Sequence, residues 1–222
     1  MNLFAESLTL PFISFGWLLF LSSLVWAFKT APWHKVEGDR GAQNILLATA
    51  LILFFLWQLS ASLGNGLTFH FLLGTLLTLM FGVQFAFIAM VLALIGVTFE
   101  SGLGWLSLGI NAVLMGLVPI IITSLMLRFS RAYLELNFFV YVIFNAFLAS
   151  AIGVVVSLSL GAWVMWVTEA HSLAMLKQSF IPYIPLMATP EGFLNGLLMT
   201  AVLFLKPNWV SSFNGESFIT RR

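Results

Sequence analysis

His70 is the residue with the richest chemistry in this sequence. It follows the turn-forming run Gly64, Asn65, Gly66 and stands at the start of a strongly apolar stretch. Imidazole is a common ligand for nickel, cobalt, copper and zinc, and an ionisable group at membrane depth is a functional candidate by default. A single histidine is not a complete metal site, and a hydrogen-bonded structural role stays open beside the ligand role. Glu191 follows Pro190, which suits a carboxylate in the first turn of a helix, where free N–H groups favour negative charge. Gln84, Asn111, Asn145 and Asn195 lie within apolar runs and must bond across helices or line a wet pocket. Glu169 and His171 are two apart, a spacing that points side chains in different directions on a helix, so they read as loop residues with metal capture as an alternative.

Other chemistries are missing from the pattern. The chain has no cysteine, which removes disulfides, thiolate metal sites and Cys nucleophiles. No HExxH zinc helix, GxSxG nucleophile turn or Walker A loop occurs, so an enzyme is not expected, and ATP-driven work would need a partner protein. No bound cofactor and no nucleic-acid partner are expected.

The elements that carry these residues follow from composition. Of 222 residues, 61% are hydrophobic and 8% charged, against roughly a quarter charged in a soluble domain. Apolar stretches of about 17 residues or more recur, each long enough to cross a hydrocarbon layer about 30 Å thick as a helix. The expected fold is all-α: a polytopic membrane helical bundle forming one domain over residues 1–222. Glu6 is the first charge, so the first apolar run lacks the basic flank of a cleaved signal and reads as a retained span.

Spans are expected at about Leu10–Phe28, Asn44–Ala61, Trp105–Leu127, Phe138–Trp166 and Pro185–Leu205. The block Leu67–Phe99 would run close to 50 Å as one helix at about 1.5 Å per residue, too long for one crossing. Gly82 divides it into a short helix, about Thr68–Phe81, and a longer one, about Val83–Phe99. About seven spans result. With the N-terminus outside, Lys29, Lys35, Arg40, Arg128, Arg131, Lys206, Arg221 and Arg222 are cytoplasmic and Lys177 alone is outside, as the positive-inside rule requires. The C-terminus is then cytoplasmic, in a multi-pass protein of the cell membrane, the bacterial cytoplasmic membrane. Small residues recur every four positions at Gly153, Ser157, Gly161 and at Gly192, Gly196, Thr200, a spacing that lets helices approach closely, either inside the bundle or against another subunit.

Three segments in order carry a family resemblance. Gly64–Gly82, GNGLTFHFLLGTLLTLMFG, resembles the segment of cobalt/nickel energy-coupling-factor permeases in which a serine- and glycine-rich turn, a His and spaced glycines precede a helix turn. Leu108–Pro119, LGINAVLMGLVP, is similar to the family's Leu-Gly-Ala-Asn helix with its later Met-Gly, and Glu191–Pro207, EGFLNGLLMTAVLFLKP, to its final Glu-Gly helix. The resemblance implies a seven-helix substrate-capture subunit with its N-terminus outside. It would work with a membrane coupling protein and ABC-type ATPases, and carry a cobalt or nickel ion as substrate. In the family the metal sits in a flat four-nitrogen site built from the N-terminal amine, the amide nitrogen and His side chain of residue two, and the His of the serine-rich turn. Here that set corresponds to Met1, Asn2 and His70, with Asn111 and Glu191 as further pocket candidates. Residue two is Asn, not His, which leaves open another metal, ligands recruited from elsewhere such as His171 or Glu191, or a different small solute. The rival expectation is a membrane protein without a transport role, acting as an assembly or interaction partner.

Overall fold

The structure is a computed structural model. It describes Leu3 and residues 8–64, 67–101, 104–135 and 137–213, with only the backbone described for 61–64, 67, 68 and 101.

Among the described residues, six helices are long and apolar enough to cross a membrane. They are α1 (Leu10–Thr30), α2 (Arg40–Gln58), α4 (Val83–Ser101), α5 (Trp105–Tyr133), α6 (Phe138–Val167) and α8 (Tyr183–Leu205). Two shorter helices join them, α3 (Gly74–Phe81) and α7 (Leu173–Ser179). The first turn of α5 is 3-10, and π-helical stretches interrupt α5 at Ala112–Leu117 and α6 at Tyr141–Leu148.

Local chemistry sets several ends. Asp39 caps α2 by accepting from the Ala42 N–H at 3.0 Å, Asn137 caps α6 through the Val140 N–H at 2.8 Å, and Ser172 caps α7 through Met175. Gly82, at φ 82°, ends α3 in a conformation that side chains resist, and so allows the chain to turn directly into α4.

The expected third span differs from what forms. Thr68 lies in a β-hairpin, β1 (Ala61–Gly64) against β2 (Leu67–Phe69), and helix begins only at Gly74. Asn65 and Gly66 of the expected turn lie outside the described residues, but the strands on either side pair antiparallel, with Ala61 opposite Phe69. Eight helical residues cover about 12 Å, less than half the hydrocarbon thickness. α3 is thus too short to cross by itself, and an extended segment, residues 70–73, leads into it. His70, Leu72 and Leu73 of that segment are buried, as are Gly74–Met80 of α3, so the irregular backbone is shielded by protein, the condition under which a membrane tolerates it.

The two ends of the bundle are chemically distinct. Lys35, Asp39, Gly82, Gln84, Asn208 and Ser211 line a common pocket. Arg131 donates to the Ser212 carbonyl at 2.6 Å, and the hydroxyls of Tyr141 and Ser212 share a 2.6 Å hydrogen bond. These contacts gather the ends of α1, α3, α5 and α8 with the starts of α2, α4 and α6, and so collect Lys29, Lys35, Arg40, Arg128, Arg131 and Lys206. At the opposite end Phe12 of α1 meets Trp163 of α6 with ring centroids 5.9 Å apart, and α7 carries Lys177 beyond them. The start of α1 and the end of α8 thus lie at opposite ends of the bundle.

Close helix approach is built from small residues. A Cβ on Gly16 of α1 would stand 2.8 Å from the Ile110 nitrogen of α5. Gly153 faces Pro119 of α5, and Gly192 and Gly196 of α8 face Phe147 of α6. Both small-residue stripes contribute to packing inside the bundle. The outward faces of α1 and α2 carry Phe15, Leu18, Leu51 and Phe55, all exposed, as expected of surfaces that meet lipid.

Candidate solute site

The hairpin and α3 are joined by a short irregular stretch, and His70 opens it. The residue is 6% exposed. Its ring lies 5.2 Å from the Trp57 ring at the end of α2, and its Nδ1 is 3.2 Å from the Phe71 carbonyl oxygen. Phe69, next in sequence, stacks on Phe180 at 5.1 Å and 17°, which ties the stretch to the segment leading into α8.

The N-terminus of α3 has no cap of its own. Leu73 precedes it at φ 54°, ψ 16°, a left-handed conformation uncommon for a branched residue. Its N–H and that of Leu72 donate to the two carboxylate oxygens of Glu191, at 2.8 and 2.9 Å. Successive N–H groups converging on one anion form a nest; here a side chain of α8 fills it. Asn195, one turn on, donates from Nδ2 to Glu191 Oε1 at 3.0 Å and accepts from the Leu76 N–H at 2.9 Å. Ser150 of α6 donates to the Glu191 carbonyl at 3.2 Å.

This corrects the expected placement of Glu191. Helix α8 starts at Tyr183 and continues through Pro190, so Glu191 is not in a first turn. It satisfies the free N–H groups of a different helix, because α3 is too short and too deeply buried to find water.

Asn111 of α5 is fully buried and bonded to Leu3: it accepts from the Leu3 N–H at 2.8 Å and donates from Nδ2 to the Leu3 carbonyl at 2.9 Å. Met1 and Asn2 lie outside the described residues. Immediately after Asn111 the π-helical stretch begins, and Ala112, Met115 and Gly116 from it bound a gap with Trp57, Met90 and Leu94 that is too tight for a water molecule. Widened π turns recur at functional sites because they re-aim side chains without ending the helix. Trp57 is thus the shared neighbour of His70 and of the turn beside Asn111. Its position in the sequence does not single it out, since a tryptophan at a span end is ordinarily an interfacial anchor.

The other expected polar residues fall elsewhere. Among the described residues no three His, Asp or Glu side chains cluster as a metal site. His171 sits in the loop after α6, where its N–H bonds the Met165 carbonyl at 3.2 Å, and Glu169 in the same loop has φ 60°. Gln84 reaches Thr30 of α1 at 3.3 Å, and Asn145 accepts from Ser130 at 2.8 Å, both as helix-to-helix bonds. A pocket of about 520 Å³ opens at the basic end between Lys35, Phe81 and Trp209, and His70 is not part of it.

Comparison with curated proteins gives no match. Two solved structures share the fold. One, described as a truncated transition metal transporter, superposes with a TM-score of 0.78 at 18% identity, over 92% of this chain and 99% of that one. The other, a transition metal transporter, gives a TM-score of 0.75 at 18% identity over 92% and 93%. The family model of the cobalt uptake substrate-specific transmembrane region matches residues 2–209. With nearly the whole length matched and the apolar spans in place, the chain is a multi-pass membrane protein that belongs to the CbiM family of cobalt uptake substrate-specific transmembrane regions.

Proposed function

We propose that this protein is the substrate-capture subunit of an energy-coupling-factor transporter that takes up a divalent transition metal, cobalt or nickel, with His70 as a ligand. The chain is a membrane component of metal uptake, as its family describes. The observation that carries the finer reading is the burial of His70 on an irregular, protein-shielded stretch of backbone beside Trp57. Irregular backbone at membrane depth is expensive and is kept where it lines a path or site. Leu3, held by Asn111 in the same interior, supports Met1 and Asn2 as further donors. Glu191 and Asn111 already spend their polar atoms on backbone groups, which argues for them as supports and not ligands.

The basic end is the cytoplasmic end in this reading, because six of the seven described Lys and Arg residues gather there and the rule of positive loops assigns it so. Solute then enters from the opposite face. A membrane coupling protein with ABC-type ATPases drives release, since the chain has no Walker A loop of its own.

Titration calorimetry of the purified protein with cobalt(II) and nickel(II) chloride tests the reading. The unmutated protein should bind one of them, and His70→Ala should abolish binding with the fold intact, because apolar neighbours cannot replace a nitrogen donor. Absence of binding to the unmutated protein would refute the metal assignment.

A further inference from the structure

We propose that Glu191 and Asn195 are positioning residues of the solute site: from α8 they set the backbone of the stretch that begins at His70, and thereby fix where the imidazole stands. The proposal rests on the reading of His70 as a site residue.

Three observations carry it. Glu191 bonds the N–H groups of Leu72 and Leu73, two and three residues beyond His70, so the distance along the chain leaves the histidine little independent freedom. The bonds coincide with the one left-handed residue of the stretch, Leu73. A leucine leaves that conformation unless something holds it, and here the carboxylate does. Asn195 completes the clamp, orienting Glu191 with one end of its amide and taking the Leu76 N–H with the other.

The far end of α3 is held by the same part of the chain. After α8, Ser211 donates its N–H to the Met80 carbonyl at 2.8 Å and Ser212 to the Leu79 carbonyl at 3.2 Å. Both termini of α3 are thus satisfied by α8 or by the segment that follows it, across more than a hundred residues of sequence. The stretch carrying His70 has its position set by α8, and Pro190, which removes one backbone bond from α8, stands immediately before the clamp. A shift of α8 at that turn would be felt at His70.

The test uses the full chain in detergent with the near-isosteric variant Glu191→Gln, which sets an NH2 group where a backbone N–H now finds an oxygen. The first readout needs no metal: diethyl pyrocarbonate modification of each histidine, followed by mass spectrometry, with the exposed His34 as internal reference. We expect His70 to react at least tenfold faster in the variant while His34 and His171 keep their rates. The second is calorimetry with cobalt(II) and nickel(II) chloride, where the variant should bind at least tenfold more weakly although His70 is present. Unchanged reactivity at His70 would overturn the proposal, as would an equal rise at all three histidines, which marks a generally loosened fold. If Glu191→Gln does not fold, Asn195→Ala reads the same quantities. Should the unmutated protein bind neither metal, the metal assignment fails, and the reactivity arm still decides the clamp.

Discussion

Asn111 and Leu3 hold each other through a closed pair of hydrogen bonds, amide to backbone in both directions, at 2.8 and 2.9 Å and across 108 positions of sequence. One buried side chain thereby satisfies both the N–H and the carbonyl of a residue that is itself in neither helix nor strand. Asn111→Ala should leave both groups unsatisfied, at about 1–3 kcal/mol for each that finds no water. We expect a lower unfolding temperature in detergent and new protease cleavage before Leu10. Asn111→Asp keeps the acceptor and loses the donor, so it should fall between. An alanine variant as stable and as protease-resistant as the parent would contradict this role.

Glycine contacts should rank by what an added methyl would meet. At Gly16 it would press on backbone, 2.8 Å from Ile110 N and 3.0 Å from its Cα, whereas at Gly153 it would touch the Pro119 ring at 3.3 Å. Gly16→Ala should therefore destabilise by about 1–3 kcal/mol, the range for overpacking, and Gly153→Ala by clearly less. Gly153→Leu, with four more carbons aimed at α5, should disrupt the α5 and α6 contact. Thermal unfolding of the three proteins side by side measures the order.

Trp57 separates two effects. Its indole N–H is buried with no acceptor among the described residues, while its ring packs against His70. Trp57→Phe removes the unsatisfied donor and keeps most of the ring, so stability should hold or rise by about 1 kcal/mol. Trp57→Ala should cost about 3–5 kcal/mol through the cavity it leaves, and should weaken metal binding because His70 loses its neighbour. A phenylalanine variant clearly less stable than the parent would show that the N–H has a partner.

Topology can be read cleanly because the chain has no cysteine of its own. Lys35→Cys and Lys177→Cys should react with a membrane-impermeant maleimide from opposite sides of intact cells or inverted vesicles. Reporter fusions after Arg131 and after Lys206 should both be cytoplasmic. Labelling of positions 35 and 177 from the same side would remove the odd number of crossings.

What the residues alone determined was the class, a helical membrane bundle, and the places of its six long apolar helices. The last two spans begin and end within about two residues of the expected positions, as with Phe138–Val167 against Phe138–Trp166, while the one before them starts at Trp105 as expected but runs on past Leu127 to Tyr133. The bilayer acts on each segment separately, so length and hydropathy suffice. The break at Gly82 was legible for the same local reason. The hairpin at Ala61–Phe69, the late start of α3 at Gly74 and the true partner of Glu191 were not legible. Pro190 before a glutamate reads locally as a helix start, yet the carboxylate serves a helix 118 and 119 positions away. Which buried N–H groups lack water, and which side chain reaches them, depends on which helices become neighbours. That is decided only when α3 is enclosed between α4, α5, α6 and α8, where an unsatisfied backbone group has no solvent to turn to.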